Sequence, residues 1–176
     1  MLVAICANSG LANAFPDEGV CDLLERSCIE EDFSSYPVSS YINVGNPYLS
    51  PNGFYFEILS GAGQYQIHNL TNIGNAIYIP GQVTVIELPQ PANEVRFVLT
   101  GGGSFNFTAY DVNSTPVWWE SHEVYGTAQA VHLSGTDIFH IVVSHTVSEA
   151  SCDLDYGEPF IGQLEACETN FGHLCQ

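Results

Sequence analysis

The sequence predicts an all-β fold built from antiparallel strands, and two observations carry that expectation. The first is side-chain alternation. Val95, Phe97 and Leu99 alternate with Arg96, Val98 and Thr100, and beyond Gly101-Gly102-Gly103 the residues Phe105, Phe107 and Ala109 alternate with Asn106, Thr108 and Tyr110. A period of two places each set on one face of an extended strand. The second is the regular return of turn residues between such runs, as in Gly45-Asn46-Pro47, Pro51-Asn52-Gly53, Gly61-Ala62-Gly63 and Ser134-Gly135-Thr136-Asp137. Glycine and asparagine accept the backbone angles of tight turns, and short strands at this spacing stack as two facing sheets.

Along the chain, residues 1–14 are apolar and rich in small side chains, ending Ala12-Asn13-Ala14 ahead of Phe15-Pro16. That ending matches a signal-peptide cleavage site, but a basic start is lacking, so the segment reads as a truncated signal peptide. Its removal would take Cys6 and leave an odd cysteine, which argues against cleavage or for a free or intermolecular thiol. Residues 15–29 read as a helical segment, with Val20, Leu23 and Leu24 on one stripe and Cys21 and Cys28 on nearly the same face. Strands are expected at 41–44, 54–59, 65–68, 76–79, 83–88, 95–100, 105–110, 117–120, 128–133 and 138–145. Gly101-Gly102-Gly103 joins two of them and precedes no helix or lysine, so it reads as a hairpin turn and not a phosphate loop. Residues 157–176 read as a helical cap, because Leu164, Cys167, Phe171 and Leu174 line one side. The sandwich proper spans 30–156. About ten short strands without intervening helices suit a jelly roll better than a smaller immunoglobulin-type sandwich. No run is long enough to insert in a bilayer.

The chain has 176 residues, 45% of them hydrophobic, which is enough for one domain with a real core. Its charge is unusual. Arg26 and Arg96 are the only basic residues apart from histidine, against 20 acids, for a formal net charge of -18. Such a surface repels phosphate backbones, which excludes nucleic acid and disfavours anionic membrane faces. It accepts divalent cations and neutral or cationic ligands. Adaptation to a salty medium would explain the imbalance. An exported acidic protein kept soluble by self-repulsion explains it better, since only the bases are unusual in number.

Six cysteines (Cys6, Cys21, Cys28, Cys152, Cys167 and Cys175) flank the strand-rich region and never enter it. No C-x-x-C pair supports zinc or thioredoxin-type chemistry, so disulfides tying the ends together in an oxidising compartment are expected. Sequence leaves their pairing open. A Cys28–Cys152 bridge has a geometric motive, because each cysteine precedes an acidic stretch (Glu30-Glu31-Asp32-Phe33 and Asp153-Leu154-Asp155-Tyr156) and first and last strands of sandwiches often adjoin. Cys21 would then pair with Cys167 or Cys175.

Candidate binding residues cluster around Trp118-Trp119. Neighbours in an extended segment point to opposite faces, so one indole can enter the core while the other looks outward. An outward Trp helped by Tyr110 or Tyr125 could stack on a sugar ring, with Asn113, Glu120 and Asp111 supplying hydrogen bonds. The plainer alternative packs both indoles, one in the core and one beneath a loop. The histidines form no metal motif, and His122-Glu123 has no identifiable acid–base partner, so no catalytic constellation stands out.

The order Asp32-Phe33, Gly53-Phe54-Tyr55-Phe56, Val95-Arg96-Phe97, Gly103-Ser104-Phe105-Asn106-Phe107-Thr108-Ala109-Tyr110-Asp111, Leu133-Ser134-Gly135, Ile138-Phe139-His140-Ile141 and Asp153-Leu154-Asp155 resembles the galactose-binding-like jelly rolls. It is similar to carbohydrate-binding modules and to exported bacterial sandwiches, including ones found with PEP-CTERM sorting tails, over roughly residues 30–156. The resemblance implies a structural calcium where first and last strands meet, with Glu31 and Asp32 facing Asp153 and Asp155; solvated strand-end acids are the equal alternative. The function expected is a secreted or cell-surface, non-catalytic module binding an extracellular glycan or surface polymer. The alternatives are a self-associating adhesive protein and a jelly-roll lyase or hydrolase.

Overall fold

A computed structural model describes residues 3–4, 23–37, 42–71, 73–146 and 158–172. The chain order is β1 (Val3–Ala4), β2 (Leu23–Glu31), β3 (Ile42–Gly45), β4 (Tyr48–Leu49), β5 (Tyr55–Ser60), β6 (Tyr65–Leu70), β7 (Gly74–Tyr78), β8 (Val83–Thr100), β9 (Gly102–Asp111), β10 (Pro116–Tyr125), β11 (Gln129–Thr146) and β12 (Phe160–Gly172). Every strand pairing is antiparallel. One layer runs β4, β5, the first half of β8, the second half of β11, β9 and β10. The other runs from the first half of β11 through the second half of β8 to β12. On its far side β12 takes β7 at its start and β2 further on, with β6 and β3 continuing beyond β7. The chain crosses repeatedly between the layers, as expected of a jelly roll, while β4 and β5, β6 and β7, and β9 and β10 pair as neighbours within one layer.

The core lies between the layers and follows the alternation. Phe105, Phe107 and Ala109 of β9 are buried, as are Val95, Phe97 and Leu99 of β8. Phe97 meets Phe107 across the interior with ring centroids 5.2 Å apart, and Phe56 meets Tyr65 at 5.9 Å. Burying each such ring contributes about 1.5–3 kcal/mol.

Four expectations are corrected. First, no helix occurs among the described residues: 23–31 and 160–172, read as parts of terminal helices, are strands paired to one another. In β12 the buried Leu164 and Ala166 follow period two. Cys167 is on the opposite face and owes its burial to its bridge, which lent the stretch a helical look. Second, 83–88 and 95–100 are one strand, as are 128–133 and 138–145. Pro89 to Asn93 and Ser134 to Asp137 are not reversals of the chain. They are paired bulges at which β8 and β11 pass from one layer to the other: Ser134 faces Glu94, Ile138 faces Ala92 and His140 faces Glu87. Proline fits there because a looped-out residue needs no ladder N–H.

Third, Gly101-Gly102-Gly103 is no hairpin. β8 and β9 do not pair with each other, and the triplet carries the chain from the second layer to the first. Gly101 and Gly103 adopt φ of 127° and 130°. A Cβ on Gly101 would lie 2.4 Å from the Glu158 carbonyl oxygen, and one on Gly103 would lie 2.5 Å from that of Thr146. Fourth, Cys28 bonds Cys167, its direct partner across β2 and β12, which excludes Cys28–Cys152 and Cys21–Cys167. Cys6, Cys21, Cys152, Cys175 and most of the proposed signal peptide lie outside the described residues.

Gly101→Ala combines a disfavoured φ with a backbone clash, so it is expected to destabilise the fold by about 1–3 kcal/mol. Chemical denaturation measures this, and an unchanged midpoint would contradict the crossing geometry.

Candidate functional site

The outward face of the first layer gathers aromatic side chains into a platform. Phe56, Ile86, Ile141 and Ala109 point inward from four adjacent strands, so their neighbours Tyr55, Glu87, His140 and Tyr110 point outward. Register sets these four in one row: Tyr55 faces Glu87, Glu87 faces His140, and His140 faces Tyr110. Three strand spacings give the row a width of about 14 Å, enough for a short run of sugar rings. The Tyr110 and His140 rings lie parallel, 4.9 Å apart with 8° between planes. The next row carries Glu57, Val85, Val142, Thr108 and Trp119. Trp119 is 74% exposed. Beyond it Ser121 Oγ donates to Asn106 Oδ1 at 2.7 Å.

The platform is acidic. Glu57, Glu87 and Glu123 share it, and partial burial together with Glu57 and Glu87 pushes the Tyr55 hydroxyl up. Neither arginine is there. Both occupy the outer face of the second layer, where Arg26 lies 3.2 Å from Glu94 and 3.5 Å from Glu165, and Arg96 lies 2.9 Å from Glu94.

Of the residues expected to bind ligand, Tyr110 and Trp119 stand together on this face. Tyr125 shares the face but sits six residues along β10 from Trp119, about 20 Å away, with its hydroxyl 3.4 Å from Glu123 Oε2. Trp118 and Glu120 are on the opposite side of β10, facing Ala109 and Phe107. Trp118 stays 38% exposed at the rim instead of entering the core, and Glu120 Oε1 lies 2.8 Å from His122 Nε2. Asn113 is exposed in the β9–β10 turn, where its N–H donates to Asp111 Oδ1. That bond and one from the Thr115 N–H hold the Asp111 carboxyl below its usual range, with Thr115 contributing most. Sequence reasoning missed Tyr55, Glu87 and His140. Period two marks Tyr55 as outward, between buried Phe54 and Phe56, but only strand register reveals its row.

Glu31 and Asp32 border a groove of about 360 Å³ with Glu30, Gln163, Leu164 and Glu165. Glu31 is buried, and its two oxygens accept the N–H groups of Phe33 (2.9 Å) and Asn52 (3.2 Å). Asp32 Oδ1 accepts from the Ser34 N–H at 2.8 Å. Calcium takes six to eight oxygens, so these two carboxylates need further ligands. Asp153 and Asp155 lie outside the described residues. Among the described residues, ligand atoms converge closely only at Cys28, Glu165 and Cys167, where the disulfide already occupies both sulfurs.

A separate cleft of about 550 Å³ opens at the ends of β7, β8 and β11, lined by Tyr78, Gln82, Ser144, His145 and Glu158 among others. His145 is buried, stacks on Phe105 with centroids 4.4 Å apart, and has Nε2 3.2 Å from the Gly102 carbonyl oxygen. Burial pushes its pKa down, outweighing that hydrogen bond.

No protein-family model and no curated protein matches the chain. Solved structures do. A point mutant of a family 29 carbohydrate-binding module, CBM29-2, matches at TM-score 0.41 and 13% identity, over 73% of this chain and 90% of that one. Another mutant of the same module, complexed with mannohexaose, matches at 0.40 and 13%, over 82% and 92%. CsCBM6-3 from Clostridium stercorarium, in complex with cellobiose, matches at 0.41 and 12%, over 74% and 94%. The chain is similar to carbohydrate-binding sandwiches.

His145 yields a pH dependence. Its folded pKa lies below the unfolded value near 6.5, so the unfolded state binds the proton first as pH falls. The stability it contributes is full above that value and is lost as pH drops through the folded pKa. Thermal melts from pH 7.5 to 5 are expected to show a smaller fall for His145→Gln than for the parent, and equal slopes would contradict the assignment.

Proposed function

We propose that this protein is an exported, non-catalytic β-sandwich that binds a glycan across the outward face of its first layer. The row Tyr55, Glu87, His140 and Tyr110, with Trp119 beside it, carries the reading. Apolar faces of sugar rings stack on aromatic rings, and their hydroxyls bond to neighbouring carboxylates and amides. The platform offers both, on paired strands of a packed layer and not on loose loops. The Cys28–Cys167 bridge supports an oxidising, extracellular setting. The ligand would be an extracellular glycan or surface polymer.

Trp119→Ala and Tyr110→Ala are each expected to weaken retention in affinity gels roughly tenfold, with the melting midpoint nearly unchanged because both side chains are accessible. A panel of neutral and charged polysaccharides that all fail to retard the parent would overturn the reading, as would variants that bind like it.

A structural calcium belongs to the same proposal, with Asp32 and the remaining lone pairs of Glu31 joined by Asp153 and Asp155. Chelation is then expected to lower the thermal midpoint by several degrees, with recovery on adding calcium and none on adding magnesium. A midpoint indifferent to chelator removes calcium from the account.

A further inference from the structure

We infer that the platform selects glycans bearing free amino groups, and that Glu87 receives the ammonium. This rests on the glycan-binding reading above and names its ligand class.

Glu87 stands between Tyr55 on one side and the stacked His140–Tyr110 pair on the other. A sugar ring seated on either aromatic therefore presents a ring substituent to this carboxylate. Glu57 lies diagonally beside it, one row along on β5, and both carboxylates act on the Tyr55 hydroxyl. Among the described residues neither Glu57 nor Glu87 has an ion-pair or hydrogen-bond partner. Carboxylates that share a face and lack an ion-pair partner gain from a cation placed between or beside them.

No arginine or lysine stands on this face to supply that cation, and His140, the one basic side chain of the row, is stacked on Tyr110. The two arginines are held on the opposite layer by Glu94 and Glu165. The ligand is left to bring it. An ammonium flanked by aromatic faces and a carboxylate is a favourable arrangement, since ring quadrupole and formal charge attract it together. Uronates and sulfated sugars meet the opposite field, from Glu57, Glu87, Glu123 and a chain of net charge -18. Neutral sugars gain only stacking and hydrogen bonds.

Calorimetric titration at pH 5.5 and 150 mM salt, with hexamers of glucosamine, N-acetylglucosamine, glucose and galacturonic acid, tests this. Amines and carboxylates are both ionised there. The glucosamine hexamer is expected to bind roughly tenfold tighter than the acetylated one, with no binding of galacturonate. Glu87→Gln should abolish most of that preference, bringing the glucosamine and N-acetylglucosamine hexamers to within about twofold of each other. Glu168→Gln, which removes the same charge from β12 in the other layer, should leave the preference intact. Equal affinity for amino and acetylated hexamers overturns the inference and leaves the glycan reading standing. A preference that survives Glu87→Gln, or falls equally with Glu168→Gln, reduces it to bulk charge and overturns it too. Failure of every hexamer retires the glycan reading and this inference together.

Discussion

Everything on the aromatic face depends on two strands that belong to both layers. β8 and β11 run side by side for their whole length, yet their halves line opposite walls of the core. Each must keep apolar side chains inward on both sides of the crossing. The bulges make this possible by adding residues first to β11, at 135–137, and then to β8, at 88–91. A slip of one residue would turn Glu87 and His140 into the core and expose Ile86 and Ile141. The positions of the platform residues are thus set by core packing several residues away, which is far stronger than any contact on the face itself.

A second constraint closes the molecule. β2 and β12 meet across Cys28–Cys167, 139 residues apart in sequence. Closing so long a loop covalently is worth about 5 kcal/mol on the chain-entropy account. Arg26 reinforces the same junction, with Nη2 3.2 Å from Cys167 Sγ and in contact with Glu94 and Glu165. The chain's scarce positive charge is therefore concentrated where its distant segments come together. One consequence of this economy is electrostatic: the aromatic layer keeps its carboxylates without any arginine to neutralise them.

Much of the fold was legible in the sequence. Alternation around Phe105, Phe107 and Ala109 marked which side of β9 is buried, and therefore that Tyr110 looks outward. The opposed directions of Trp118 and Trp119 followed from the same rule. The failures share a cause. Leu164, Cys167 and Phe171 match a helical stripe at a spacing that local pattern cannot distinguish from an irregular strand. Pro89 to Asn93 has the composition of a turn, and only the partner strand turns it into a bulge. The Cys28 partner depended on which strands adjoin, a non-local fact that neighbouring acids could not supply.

What the sequence determined by itself was the inside and outside of the strands it marked as strands, because a period of two is a local property of extended backbone. It also determined the sign of the field any ligand would meet, since charge is a matter of composition. Which outward residues stand next to one another was decided only by tertiary structure. Tyr55, Glu87, His140 and Tyr110 come from four separate stretches of chain, and they align because hydrogen-bond register across four strands, settled by the packing beneath, leaves them no other arrangement.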